Sequence, residues 1–266
     1  MTAVRCDARS TRAAYARGAA VYDRVWSPVI RPPAVRVVRE LRIAGARRVL
    51  DVGAGTGALS SELARAAPDA TIVSIDAAPE MLRYAVRHRA ATATVADAMR
   101  LPIRSDDVDA VLLAYVLFML PDPDAGLREA RRVLRDGGRV GTVTWAGERP
   151  TRAAEVWEQT LEALDVPTLP AHSNHSGLET ADAVAARLEA AGLAPRRVWY
   201  EHIEHTIAPG DFFELRTGHG TPGARLAALG APERRHALEE LRARLAALTP
   251  GDYTVRGSLV CAVAGT

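Results

Sequence analysis

Short apolar runs alternate with segments of helical periodicity over residues 35–145, and this alternation is the main structural signal in the chain. The spacing of Val35, Val38 and Leu41 predicts a helix, and the apolar run at 47–52 predicts a buried strand. The same exchange continues as helix 59–66, strand 71–75, helix 79–87, strands 92–96 and 108–115, helix 124–134 and strand 139–145. Regular alternation of strands and helices predicts a parallel sheet with helices on both faces.

The pattern changes after Trp145. Asp136-Gly137-Gly138 is expected to reverse the chain before the last strand of the alternating region. Further on, the sequence predicts helices at 153–164, 180–191 and 232–247, and alternating strands at 195–207 and 253–263. The last two strands are expected to complete the sheet as an antiparallel pair. The predicted fold class is therefore α/β, with a doubly wound, mostly parallel seven-stranded sheet and a helical cap.

The composition is typical of a soluble globular protein, since 48% of the 266 residues are hydrophobic and 25% are charged. The longest apolar stretch, 108–120, contains Asp109 and ends before Pro121, so it is too short to cross a bilayer. The N-terminal segment does not pair a basic start with an apolar run. A cytoplasmic protein without a membrane partner is expected.

All 34 basic residues are arginines, which excludes a lysine Schiff base and the lysine of a nucleotide-binding P-loop. A net charge of +2 with scattered arginines is not typical of a nucleic-acid-binding protein. Cys6 and Cys261 lie far apart, without metal-ligand spacing, so neither a zinc site nor a disulfide framework is expected.

The most informative stretch runs from Val49 to Gly57 and joins a buried strand to a glycine-rich turn. Gly53 and Gly55 allow a sharp turn and close approach to a ligand, and Gly57 allows tight packing where the next helix begins. Free amides in such a turn can meet an anion, whereas the Asp51 carboxylate favours an ammonium group. An amino-acid zwitterion satisfies both requirements.

Two further strands also end in acids. Asp76 follows the second strand at the position where ribose hydroxyls are usually held, and Asp97 follows the third, beside Met99. A dinucleotide is disfavoured because its fingerprint is G-x-G-x-x-G, whereas here the third glycine comes one residue early. An NAD(P)-dependent oxidoreductase and a ligand-free turn remain the minority interpretations.

From about Tyr22 to Trp145 these residues resemble the class I methyltransferases that use S-adenosyl-L-methionine (SAM) and release S-adenosyl-L-homocysteine (SAH). The resemblance is greatest to the branch of ubiquinone and menaquinone methylases and natural-product methylases. It implies that the cofactor-binding residues are Tyr22, Asp51, Gly53, Ala54, Gly55, Gly57, Asp76, Ala77, Met81, Asp97, Ala98, Met99 and Tyr115. For Met81, Met99 and Tyr115, a role in core packing is the competing interpretation.

Four parts of the chain are expected. They are an N-terminal helical lid at 1–30, a SAM-binding core at 31–146, a cap with acceptor-binding insertions at 147–230 that includes the strand at 195–207, and a last helix and strand at 231–266. The lid is implied by the resemblance of Tyr15, Tyr22 and Trp26 to the helical lid of this branch, and an aromatic helix packed on the sheet is the competing interpretation.

A small-molecule acceptor is expected, with methylation at O, N or C of a secondary metabolite or quinone-like compound. Asn174 is the only asparagine and no Asp-Pro-Pro occurs, so the motif of nucleic-acid amino-methylases is missing. Histidine is the residue most suited to act as a base near neutral pH. His219, between two glycines, and His175, in a Pro- and His-containing loop, are the candidate catalytic residues, although a loop histidine is more often simply solvated. A metal site is not expected.

Another function class stays open. A SAM- or SAH-binding protein of this fold that does not methylate, such as a natural-product cyclase or a regulatory subunit, would carry the same motifs. A homodimer is also left open.

Overall fold

A seven-stranded sheet forms the centre of the molecule, as seen in a computed structural model that describes Tyr15 and residues 18–89, 92–169 and 177–266. Its strands are β1 (Arg48–Val52), β2 (Thr71–Asp76), β3 (Thr92–Val95), β4 (Val108–Ala114), β5 (Leu134–Arg149), β6 (Ala194–Thr206) and β7 (Thr254–Gly265). Their order is β3-β2-β1-β4-β5-β7-β6. β1 to β5 run parallel, and β7 lies antiparallel to both β5 and β6. The predicted fold class is confirmed.

Helices flank this sheet and connect its strands. They are α1 (Ala19–Val21), α2 (Ser27–Glu40), α3 (Ser60–Ala66), α4 (Pro79–Arg89), α5 (Pro123–Val133), α6 (Arg152–Ala163), α7 (Ala181–Ala190), α8 (Pro209–Gly218), α9 (Gly220–Ala227) and α10 (Ala231–Leu245). A π-helical turn, Tyr22–Trp26, joins α1 to α2. The helix predicted from Val35 therefore begins earlier, at Ser27, with Pro28 in its first turn, where a missing N–H costs nothing.

The central strand β4 is buried along almost its whole length, as its apolar sequence predicts. Asp109 lies within this strand and is only 8% exposed. Its Oδ2 accepts hydrogen bonds from the backbone N–H groups of Arg47 (2.7 Å) and Arg48 (2.9 Å), and the side chain of Arg135 pairs with its other oxygen. The acid is tolerated in the core because these donors compensate the loss of hydration.

The segment Asp136-Gly137-Gly138 differs from the prediction, because it lies inside β5 rather than between helix and strand. β5 begins at Leu134, directly after α5, and its pairing with β4 shifts register before Arg139. Gly137 has φ of +76°, a conformation that glycine adopts without strain. The glycines thus form an irregularity within the strand.

The last strand, β7, also differs from the one-sided pattern predicted for it. Val260, Ala262 and Ala264 are buried as fully as Leu259 and Cys261, which occupy the opposite face. This burial follows from the strand order, since β7 lies between β5 and β6 with α2 packed against it. Within the described ranges, no helix combines the length and the apolar character needed to cross a membrane.

Candidate active site

The strands β1 to β4 all end at one edge of the sheet. β1 lies between β2 and β4, so the strand order reverses beside it, which is where open α/β sheets bind ligands. The segments that follow these strands enclose a cavity, called the strand-end cavity below. Its lining includes Tyr15, Tyr22, Ser27, Ile30, Asp51, Gly53, Ala54, Gly55, Thr56, Asp76, Ala77, Met81, Asp97, Ala98, Met99, Tyr115 and Met119. Twelve of the thirteen predicted cofactor-binding residues are thereby brought together.

The remaining predicted residue, Gly57, lies behind this cavity. It has φ of +74°, and a Cβ built there would lie 2.9 Å from Ser60 Oγ and 3.1 Å from Ala85 Cβ. Gly57 therefore allows close packing of α3 and α4, as its position before the helix predicts. Gly53 is more restricted still, because its φ is +71° and a Cβ would approach a methyl carbon of Val116 to 2.1 Å.

Two carboxylates, the buried Asp51 and the half-buried Asp76, line the strand-end cavity. Asp51 is 2% exposed, and its Oδ2 has no hydrogen-bond partner among the described residues. Burial, with a smaller contribution from the charge of Asp76, raises the pKa of Asp51 from 3.8 to about 7. A buried acceptor without a partner is costly, so this position suits a ligand that brings a donor or a positive charge.

The second carboxylate, Asp76, is held by the backbone. Its Oδ2 accepts from the N–H of Gly55 and its Oδ1 from the N–H of Ala78, both at 2.8 Å. Burial raises the pKa of Asp76, although these amide hydrogen bonds oppose the shift. The carboxylate is thus fixed against the glycine turn, and each oxygen retains a lone pair for hydroxyl donors.

The outer end of the cavity is less polar. Asp97 is exposed, and its Oδ1 accepts from the N–H of Met99 at 2.8 Å. Met81 is buried beneath the glycine turn, and its methyl carbon would lie 3.5 Å from a Cβ at Gly55. Apolar surface beside an exposed acceptor suits a flat heterocycle that carries an amino group.

Tyr115 lies directly after β4 and has φ of +61°, a left-handed conformation that costs energy outside glycine. Its hydroxyl donates to the carbonyl oxygen of Ile30 at 2.9 Å, and its ring centroid lies 6.0 Å from that of Trp145. Burial is the main cause that raises the pKa of Tyr115 well above 10, so the hydroxyl stays protonated near neutral pH. The ring is thus placed where the cavity opens toward the cap.

A second cavity, of about 480 Å³, adjoins the first and is called the cap cavity. This volume lies within the range of small-molecule pockets. Its lining includes Tyr15, Tyr22, Trp26, Ile30, Tyr115, Phe118, Met119, Trp145, Phe212, Leu215, Arg216 and His219. Tyr15, Tyr22, Ile30, Tyr115 and Met119 line both cavities, so the two share one wall.

One face of α8 and the residue after it supply much of the cap cavity. Phe212, Leu215, Arg216 and His219 follow each other at the three- and four-residue spacing of a helical face. Arg216 also pairs with Glu158 at 2.6 Å. Of these four residues, the sequence analysis predicted only His219. The helical spacing of the other three is visible in the sequence, but nothing in the local sequence indicates which part of the molecule this face lines.

The structure separates the predicted histidines. His219 is the single residue between α8 and α9, rather than part of a loop, and its ring lies 4.8 Å from that of Tyr22. His175 lies outside the described residues. His202 and His205 belong to β6, where His202 contacts Ser258 Oγ at 3.1 Å. Among the described histidines, only His219 lines either cavity.

Part of this chain is similar in sequence to known proteins. Residues 50–141 match the family described as "Methyltransferase domain". A malonyl-[acyl-carrier protein] O-methyltransferase of Geobacter sulfurreducens is 40% identical over 138 residues, which cover 50% of this chain and 51% of the relative. The ubiquinone/menaquinone biosynthesis C-methyltransferase UbiE of Syntrophotalea carbinolica is 34% identical over 123 residues, or 44% of this chain and 49% of the relative.

The chain therefore spans about half the length of these two relatives. Among solved structures, the cyclase SpnF has a TM-score of 0.53 at 20% identity, covering 87% of this chain and 80% of that one. This likeness shows a shared fold.

Proposed function

We propose that this chain, whose residues 50–141 match the family described as "Methyltransferase domain", transfers the methyl group of SAM to a small molecule held in the cap cavity. The wall shared by the two cavities carries this proposal. Tyr22 and Tyr115 line both spaces, so a ligand in each would meet at these rings. A group-transfer enzyme needs donor and acceptor in contact and shielded from water.

The residues of the strand-end cavity fit SAM group by group. The Asp51 carboxylate accepts the ammonium group of the methionine part, which supplies the donor that its buried Oδ2 lacks. Gly53, Ala54 and Gly55 let the chain approach that part closely. The Asp76 carboxylate accepts the ribose hydroxyls.

The adenine end is held by less polar groups. Asp97 accepts the exocyclic amine, and Met81 and Met99 cover the ring with Ala77 and Ala98. The bound SAM supplies a methyl group already activated by the sulfonium, so this chain needs to provide orientation rather than activation.

The acceptor is a planar, unsaturated small molecule. Trp26, Phe118, Trp145 and Phe212 line the cap cavity, and aromatic rings can stack on flat ligands. This lining favours a quinone-like compound or aromatic natural product over the aliphatic malonyl group in the name of one relative. Methylation at O, N or C is compatible with it.

His219 orients the acceptor and takes its proton when the attacking atom is protonated. With SAM bound in the strand-end cavity, attack by the acceptor lone pair on the methyl carbon would leave the carbon–sulfur electron pair on sulfur, so the residues of the cap cavity would have to hold the attacking atom in line with that bond. The proton of an attacking hydroxyl passes to a ring nitrogen of His219, which lines the cap cavity beside Tyr22. His175 is the second candidate for this role, on sequence grounds alone.

Product mass tests this proposal. The wild-type protein is incubated with SAM and a panel of hydroxylated naphthoquinones, and the products are analysed by liquid chromatography and mass spectrometry. Methyl transfer adds one methyl group to an acceptor and releases an equal amount of SAH. A rearranged product of unchanged mass, with SAM unconsumed, would instead assign the chain a cyclase function like that in the name of SpnF.

A further inference from the structure

We infer that Asp23 is a positioning residue that clamps the lid segment (residues 18–27) onto the glycine turn (residues 53–57) and so slows release of the cofactor. The inference rests on the proposed placement of SAM. It assigns a role to a side chain that lines neither cavity.

Asp23 lies in the π-helical turn and its side chain is only 13% exposed. Three side chains of the core donate hydrogen bonds to its carboxylate. Thr56 Oγ1 donates to Oδ1 at 2.7 Å, the Tyr84 hydroxyl donates to Oδ2 at 3.1 Å, and Arg89 Nη2 lies 2.8 Å from both oxygens. Charge-assisted hydrogen bonds of this kind are stronger than neutral ones.

Thr56 connects this cluster to the cofactor site. It lies between Gly55 and Gly57, is 1% exposed and lines the strand-end cavity. Its hydroxyl lies 3.5 Å from Ser27 Oγ, and its carbonyl oxygen accepts from Arg89 Nε at 3.3 Å. The turn that would carry the methionine part of SAM is therefore bound directly to the lid segment.

The lid segment in turn forms the walls of both cavities. Tyr22, next to Asp23, lines both, Ser27 lines the strand-end cavity, and Trp26 lines the cap cavity. A π-helical turn shifts the following residues around the helix axis, and such turns are frequent at functional sites. While Asp23 holds this turn against Thr56, the cofactor stays covered.

A second set of ion pairs also holds the lid segment, and its side chains are more exposed than that of Asp23. Arg24 pairs with Asp211 and, at 2.5 Å, with Glu214 of α8, and all three side chains are at least 39% exposed. Exposed ion pairs contribute little because water and salt screen them. The hydrogen bond between Asp23, whose side chain is 13% exposed, and the buried Thr56 is screened less and is therefore the stronger link between the lid segment and the glycine turn.

The test measures SAH dissociation from the purified full chain by stopped-flow fluorescence and SAH affinity by calorimetry. The variants are Asp23→Asn, Thr56→Val and the double variant. Arg83→Gln is the matched control, because it removes an exposed ion pair with Glu80 from the same helix as Tyr84.

We expect Asp23→Asn to release SAH about tenfold faster, since a charged acceptor of several hydrogen bonds is lost. Both substitutions remove the same hydrogen bond, the one between Asp23 and Thr56. The fold-increase in the SAH dissociation rate of the double variant should therefore be smaller than the product of the two single increases. Arg83→Gln should behave as the wild type.

Unchanged SAH dissociation in folded Asp23→Asn, or fully multiplicative effects in the double variant, would overturn the clamp. A merely structural role would lower the unfolding temperature of the ligand-free protein and leave the dissociation rate unchanged. If Asp23→Asn does not fold, Tyr84→Phe removes a single donor, and a wild-type rate in that variant counts against the clamp. A wild-type protein that binds no SAH would overturn the proposed function as well.

Discussion

The ring of Tyr22 packs against the imidazole of His219, with 4.8 Å between the ring centroids. Tyr15 approaches the same imidazole edge-on at 4.9 Å. Since Tyr22 lines both cavities, this contact places His219 at the boundary between the proposed donor and acceptor sites. The N-terminal segment that holds Tyr15 and Tyr22 thus meets the end of α8 at one histidine that is far from both tyrosines in sequence.

The first prediction concerns His219. Replacement with Ala should lower kcat by about 100-fold or more if the acceptor is protonated when it attacks, because a positioned base is lost. SAH affinity, measured by calorimetry, should stay at the wild-type value. His202→Ala is the control, since His202 lies on β6 and lines neither cavity. Full turnover in the His219 variant would exclude His219 as the base and would show that the protein needs only to orient the two substrates.

The second prediction concerns cofactor binding. Calorimetry should detect SAM and SAH binding in the micromolar range, about −8 kcal/mol, and no binding of NAD. Asp76→Ala should weaken SAM binding by about 1–3 kcal/mol, because the ribose hydroxyls lose a charged acceptor. Asp69→Ala changes an exposed acid outside the cavity and should bind as the wild type. An unchanged dissociation constant in the Asp76 variant would exclude it as the ribose ligand.

The third prediction is a pH dependence that comes from Asp51. Its pKa is raised to about 7 in the folded protein, mainly by burial, so between about pH 4 and pH 7 the folded state holds a proton that the unfolded state has lost. The free energy of unfolding of the ligand-free protein should therefore fall as the pH rises through this window. Chemical denaturation at several pH values measures it.

SAH affinity should show the opposite trend, because only ionised Asp51 attracts the ammonium group. Between pH 5.5 and pH 7.5 the affinity should rise with pH, and Asp51→Asn should bind more weakly and with a flatter profile. Burial also raises the pKa of Asp76, so Asp76 contributes in the same direction to the pH dependence of the free energy of unfolding. Asp51→Asn should therefore reduce the slope of the unfolding free energy against pH without abolishing it. An unaltered binding profile in Asp51→Asn would contradict the assigned ammonium contact.

The fourth prediction concerns the glycine turn. Gly53→Ala should lose SAH binding and destabilise the fold by at least about 2 kcal/mol, because the backbone is left-handed and the new Cβ would collide with Val116. Gly45→Ala is the control, since a Cβ there meets nothing within 4 Å. Thermal unfolding with and without SAH measures both effects. Equal behaviour of the two variants would show that the turn tolerates a side chain.

Much of the proposed cofactor site could be predicted from the sequence because its parts are local. Asp51 and Asp76 lie in the last residues of β1 and β2, and Asp97 comes shortly after β3. The ends of neighbouring parallel strands necessarily meet at one edge of the sheet. The periodicity of the apolar residues predicted the bounds of most strands to within a few residues. The irregular start and longer extent of β5 and the two-sided burial of β7 differ from that pattern.

The contacts that cover the cofactor site and enclose the acceptor site depended on the tertiary structure. The Asp23 cluster joins residues 33, 61 and 66 positions apart, and no local pattern indicates which helix faces which turn. The same holds for the face of α8 that lines the cap cavity together with Tyr22 and Trp145. The sequence by itself determined the alternating elements and the chemistry at the strand ends, because both follow from backbone periodicity and short connections. The tertiary structure alone decided what closes over them, because that depends on the packing of distant, individually unremarkable helix faces against one another.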